Sequence, residues 1–401
     1  MSAATSELRY VVWEITLRCD LACGHCGSRA GKPRSDELNT AECLDVVQQI
    51  AAMGCREVTL IGGEAYLRED WDQIARAIRQ AGMRCTMTTG GRGMTPERAR
   101  RAKAAGIQSM SVSLDGLEAA HDRQRGVKGA FQAGLQALEN LQAAGVPVSV
   151  NTQVNRLTLG DLAPLLELIA AKGAHSWQIQ LTVPMGRAAD NWEWLLQPYE
   201  LLEVIPHLAD LGARAKELGV RLWPGNNVGY FGPHEHVFRG DTRAGHTSGC
   251  QAGRYTLGLE ADGAIKGCPS LPTSAFTGGH VRARRIQEVW DDTAELRFTR
   301  DKSVELWGAC ASCYYADVCR GGCTWTAHVF FGRAGNNPYC HHRALEYQRQ
   351  GLRERFVPAT PAPGAPFDHG VFELVLEPEG APLPSSPRPL PTVAGASHEE
   401  V

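Results

Sequence analysis

The chain has no excess of basic charge: 41 Lys and Arg stand against 44 Asp and Glu, a formal net charge of -3 over 401 residues. Such a balance leaves no electrostatic footprint for nucleic acid. The sequence also lacks an apolar run of 18 residues and a basic-plus-apolar leader, so neither a membrane span nor secretion is expected, and the cytoplasm is the expected compartment. Cysteine, by contrast, is abundant. Thirteen cysteines without an export signal point to metal thiolates in a reducing cytoplasm rather than to disulfides. With 43% hydrophobic content the chain has room for two domains.

Cys19, Cys23 and Cys26 form a Cys-x3-Cys-x2-Cys loop directly after an apolar, β-rich run from Tyr10 to Ile15. Three thiolates on so short a loop can hold three corners of a cubic [4Fe-4S] cluster and leave the fourth iron open to a cofactor. Taken alone, the triplet could also be a structural zinc site or three unrelated buried thiols. A second apolar β-run ends in Ile61-Gly62-Gly63-Glu64, where paired glycines allow close backbone approach and a carboxylate can accept from an ammonium. Further on stand Ser111-Val112-Ser113-Leu114-Asp115-Gly116 and then His121-Asp122-Arg123-Gln124-Arg125-Gly126. Each element alone is also compatible with a turn, a strand end or a solvated charged loop.

Together these elements resemble the signature of the radical SAM enzymes. The resemblance implies that Gly62, Gly63 and Glu64 bind the methionine amino group of S-adenosylmethionine (SAM), that Ser113 and Asp115 reach its ribose, and that Arg125 meets its carboxylate. It also implies reductive cleavage of SAM at the open iron to a 5′-deoxyadenosyl radical that takes a hydrogen atom from an unactivated carbon.

The organisation agrees. Candidate strands at 10–15, 56–61, 84–89, 107–114, 147–154 and 177–182 alternate with candidate helices at 40–53, 70–81, 96–105, 129–144 and 161–172. Six β-α units in series predict a parallel sheet with helices outside and chemistry at the carboxyl ends of the strands. The expected fold class is therefore α/β, a partial (β/α)6 barrel over 1–182.

After a bridging region at 183–249 with a helix expected at 199–218, the chain reads Cys250-x17-Cys268, then Cys310-x2-Cys313-x5-Cys319-x3-Cys323-x16-Cys340. This pattern resembles the SPASM domain, the auxiliary-cluster extension of many radical SAM enzymes, here over 250–356. The resemblance implies two auxiliary [4Fe-4S] clusters and so three in all, one held by Cys310, Cys313, Cys319 and Cys340, the other by Cys250, Cys268 and Cys323. Some relatives have an eighth cysteine shortly after the position of Cys250; here an open iron, Asp262 or His246 would take its place. Paired cysteines also suit a zinc ribbon. Cys43, Cys55 and Cys85 are expected in the core. Anaerobic sulfatase-maturing enzymes have an aspartate where this chain has Pro269, which disfavours that chemistry.

The function expected from this resemblance is modification of a ribosomally made peptide, with a flavodoxin- or ferredoxin-type reductant; since no winged-helix region fits before Tyr10, any leader peptide binds elsewhere on the chain or through a separate leader-binding protein. Modification of a small molecule or tetrapyrrole, as by haem-biosynthetic decarboxylases, is the alternative, and an iron–sulfur electron carrier the third. Ten prolines between Pro358 and Val401 predict a disordered tail from residue 357, in which Phe367–Leu376 is read as incidental hydrophobics, or as a strand or groove cover. Gly-Asn-Asn at 225–227 and 335–337 predicts turns. His341 and His342, next to Cys340, could contact a cluster or face solvent. Trp192-Glu193-Trp194 with Tyr230-Phe231 could line a cavity or pack helices.

Overall fold

The computed structural model describes residues 7–228, 231–240 and 249–382. Six parallel strands follow one another in sequence order: β1 (Tyr10–Glu14), β2 (Glu57–Ile61), β3 (Arg84–Thr89), β4 (Ser109–Ser113), β5 (Val148–Val154) and β6 (Ser176–Leu181). The crossovers are α1 (Thr40–Ala52), α2 (Trp71–Gln80), α3 (Pro96–Ala104), then α4 (Glu118–Arg125) with α5 (Ala130–Ala143), and α6 (Leu162–Ala171). Local signals set their ends. Asn39 and Glu42 close a capping box at α1, and Thr95 caps α3 with Pro96 in its first turn. Trp13, Ile50, Leu60, Trp71 and Trp177 are fully buried between sheet and helices. Each aliphatic among them contributes about 1.5–3 kcal/mol by leaving water.

The sheet runs beyond the expected six strands. At the β6 edge it gains the parallel β7 (Arg221–Pro224), delivered by the long helix Leu201–Glu217. At the β1 edge the parallel β8 (Thr256–Leu259) pairs Tyr10 with Thr256 and Trp13 with Leu259. β9 (Ala264–Lys266) and β10 (Thr277–His280) then add antiparallel, making ten strands in all. The cysteine-rich region is thus hydrogen-bonded into the barrel sheet, and Cys250 and Cys268, which flank β8 and β9, are carried to the barrel's first strand. Strands of three and four residues leave no periodicity to read, which is why they were not anticipated.

The disordered tail expected from residue 357 requires correction. β11 (Leu352–Thr360) and β12 (Val371–Pro378) form an antiparallel hairpin that pairs Phe356 with Leu374. Phe356 and Phe372 are buried against Phe330, with ring centroids 5.0 and 5.8 Å from it. The proline-rich composition masked this, because the hairpin is held by distant aromatic contacts rather than by local propensity. Residues 383–401 lie outside the described residues. Among the described residues no helix is long and apolar enough to cross a membrane.

Candidate functional site

The loop carrying Cys19, Cys23 and Cys26 leaves β1 and is held from two sides. The Ala22 and Gly24 N–H groups donate to the carbonyls of Arg125 and Gln124 at the end of α4. Arg187 donates from Nε to the Cys23 carbonyl at 2.7 Å and from Nη2 to the Ala30 carbonyl at 3.1 Å. Burial pushes the Cys19 thiol up to about 12, so a thiolate there requires a compensating cation.

Gly62 and Gly63 follow β2 and pack on this loop. A Cβ on Gly63 would stand 2.5 Å from the Leu17 and Arg18 carbonyl oxygens, so only glycine fits. The close approach brings in Glu64, which is 1% exposed. Its Oε2 accepts from the Gly90 N–H at 2.8 Å, while Oε1 is buried without a partner. Burial raises the carboxyl to about 8. An orphaned carboxylate oxygen beside the cysteine loop is what an ammonium group satisfies. Ser113 and Arg125 also line this space.

Asp115 does not line it. The residue is fully buried, its Oδ2 accepting from Arg125 Nε at 2.7 Å and its Oδ1 from the Gln153 N–H at 3.0 Å. Burial alone would raise this carboxyl, but the Arg125 charge outweighs it and holds the group well below the usual carboxylate range. The ribose contact expected for Asp115 is therefore corrected: it orients Arg125, whose Nη1 lies 3.8 Å from Cys23 Sγ.

One cavity of about 650 Å³ is lined by Cys19, Cys23 and Cys26 and also by Cys250, Cys268 and Cys323. Burial pushes the Cys268 thiol up to about 12 and the Cys323 thiol to about 11. Cys310, Cys313, Cys319 and Cys340 line a separate small cavity of about 30 Å³. Six of the ten cysteines thus share the larger cavity and four the smaller one, an arrangement compatible with the sets that the resemblance implies. Among the described residues no group of three or more His, Cys, Asp or Glu side chains is placed to hold a single metal ion.

Asp262 is corrected as a fourth ligand. It sits in the β8–β9 turn, accepts from the Ala264 N–H at 3.0 Å, pairs with Arg34 at 3.5 Å and does not reach the cavity. His246 and Tyr230 lie outside the described residues. Cys43, Cys55 and Cys85 are in the core.

Several residues of the cavity wall carried no signal that was read from the sequence. On adjacent strands of the cavity wall Asn151 pairs with Gln178 and Gln153 with Gln180, all four facing inward. Alternating amides inside apolar strands were the available clue. Phe367, at φ 56° and 8% exposed, closes another part of the wall, its ring 3.9 Å from Lys266 Nζ. The neighbouring Asp368 pairs with Arg29 at 2.8 Å, pinning the hairpin connection to the cysteine loop. Trp194 lies instead against Gly24, outside the cavity, and Phe231 stacks on Tyr315 at 4.8 Å. His342 lines the small cavity. The expected turns do more than turn: Asn227 bonds both backbone groups of Leu181, and Asn336 holds Arg343.

An α/β barrel with a three-cysteine loop at its mouth, a Gly-Gly-Glu cradle after the second strand and a seven-cysteine extension defines a class. The chain belongs to the radical SAM superfamily and is an enzyme of its SPASM type: the radical SAM superfamily model matches residues 13–169. SAM and a [4Fe-4S] cluster are its implied cofactors. The chain is 31% identical over 364 residues to the AdoMet-dependent heme synthase of Methanosarcina barkeri, covering 86% of this chain and 99% of that protein. It is 30% identical over 352 residues to the mycofactocin maturase MftC of Mycolicibacterium smegmatis, covering 82% of each. Among solved structures, SuiB of Streptococcus suis bound to S-adenosylmethionine superposes with a TM-score of 0.64 at 15% identity, over 84% of this chain and 76% of that one. At that identity the match speaks for the fold alone.

Proposed function

We propose that the chain modifies a ribosomally made peptide in the 650 Å³ cavity that both cysteine triplets line. The observation that carries this reading is the amide face of Asn151, Gln153, Gln178 and Gln180. Each amide offers both a donor and an acceptor, which complements the main chain of a peptide. When bound, SAM and the cluster of Cys19, Cys23 and Cys26 supply the 5′-deoxyadenosyl radical that abstracts hydrogen. The chain's own residues orient: Gly62, Gly63 and Glu64 take the SAM ammonium, Ser113 its ribose, and Arg125, aimed by Asp115, its carboxylate. Cys250, Cys268 and Cys323, which line the same cavity, hold one auxiliary cluster, and Cys310, Cys313, Cys319 and Cys340 hold a second. A flavodoxin- or ferredoxin-type protein supplies electrons, and the leader binds elsewhere on the chain or through a separate protein.

A second reading, modification of a tetrapyrrole, is favoured by the likeness to proteins named AdoMet-dependent heme synthase. The cavity speaks against it. The carboxylates of a tetrapyrrole call for cations, yet of the two arginines that line the cavity Arg125 is taken up by Asp115 and the SAM carboxylate, and Arg187 is bonded to two loop carbonyls.

Anaerobic incubation of the reconstituted chain with SAM, reductant and either short peptides encoded beside its gene or an iron tetrapyrrole separates the two. We expect 5′-deoxyadenosine together with a mass change in a peptide. A mass change confined to the tetrapyrrole overturns the peptide reading.

A further inference from the structure

Arg343 and Glu354 form an ion pair at 2.5 Å although their side chains are only 8% and 6% exposed. Such a pair is weak evidence for stability, because desolvating two charges offsets most of their attraction. Its surroundings give it another role. Arg343 lies three residues after Cys340, on the helix His341–Arg349, and its backbone N–H favours the Cys340 thiolate. Its Nη1 donates to Asn336 Oδ1 at 2.6 Å and to the Asn337 carbonyl at 3.1 Å. Asn337 in turn lines the four-cysteine cavity, and its backbone N–H favours the Cys310 thiolate. One guanidinium thus braces the Asn336–Asn337 turn just before Cys340, whose backbone reaches Cys310, and places a buried positive charge beside these cysteines. Its counter-charge comes from the next element along the chain, since Glu354 sits on β11.

We propose that Arg343 and Glu354 tune the four-cysteine centre: the Arg343 charge raises its reduction potential, and Glu354 limits the rise. Reduction adds negative charge to the thiolate-bound centre, so a nearby buried cation favours the reduced form and a buried anion opposes it. The two groups carry opposite charges, so removing them has opposite effects. This inference rests on reading Cys310, Cys313, Cys319 and Cys340 as a cluster site.

The test is an anaerobic redox titration of the reconstituted full-length chain, followed by electron paramagnetic resonance. The wave lost in Cys313→Ala identifies the centre. We expect Arg343→Gln to lower its potential by a tenfold change in the one-electron equilibrium, about 59 mV. Glu354→Gln should raise it, and Arg343→Lys, which keeps the charge, should stay near wild type. Shifts of the same sign in Arg343→Gln and Glu354→Gln, or none, with iron content at the wild-type level, overturn the tuning role. If Arg343→Gln does not retain iron, Glu354→Gln decides alone: an unmoved or lowered potential overturns the proposal. Zinc in place of iron, or no wave lost in Cys313→Ala, sinks the cluster reading instead.

Discussion

Arg125 is 8% exposed beside Cys23, and a guanidinium in that position is tolerable only because Asp115 meets it at 2.7 Å. Removing one partner of such a pair strands the other. Asp115→Ala should therefore lower the unfolding free energy by about 3–5 kcal/mol, measured by chemical denaturation followed through tryptophan fluorescence. A loss below about 1 kcal/mol, the scale of an exposed pair, would return Asp115 to the cavity. Glu64 is the complementary case, a carboxylate with one oxygen left unpartnered. Glu64→Gln should leave folding intact and weaken SAM binding by about 1.5–3 kcal/mol, the scale of one charged hydrogen bond. Equilibrium dialysis with labelled SAM checks it, and wild-type affinity would mean that the orphaned oxygen serves something else.

At the scale of elements, the C-terminal hairpin is the largest departure from expectation. β11 and β12 bury Phe356 and Phe372 on Phe330, and their connection delivers Phe367 to the cavity wall and Asp368 to Arg29. A chain ending at residue 382 loses none of these contacts and should retain its clusters. A chain ending at residue 351 loses all of them and should aggregate or fail to hold iron. Within the full chain, Phe356→Ala should cost about 3–5 kcal/mol by leaving an aromatic-sized cavity, read as a lowered melting temperature. Full stability of the shorter chain would make the hairpin an ornament and restore the disordered reading.

At the scale of the whole molecule, one ten-stranded sheet joins the barrel to the cysteine-rich region through the β1–β8 pairing. That junction places both cysteine triplets on one cavity. If all three sites carry cubic clusters, about twelve irons per chain should be found after anaerobic reconstitution. Stoichiometric zinc at the C-terminal cysteines would overturn the assignment, while about four irons would leave only the N-terminal cluster.

The sequence by itself determined the order of the six barrel strands and the close glycine approach that seats Glu64, beside a cysteine loop whose spacing is plain in the chain. These are short-range or strongly periodic features: a Cys-x3-Cys-x2-Cys loop, paired glycines at a strand end, and apolar runs alternating with capped helices. Tertiary structure alone decided the rest. Asp115 turned from the ligand to Arg125, Asp262 to Arg34, and the amides of β5 and β6 became one surface only when their strands came into register. The physical reason is range. A side chain's partner is chosen by burial and by charges up to hundreds of residues away, as Asp368 is by Arg29, and no local pattern records that choice.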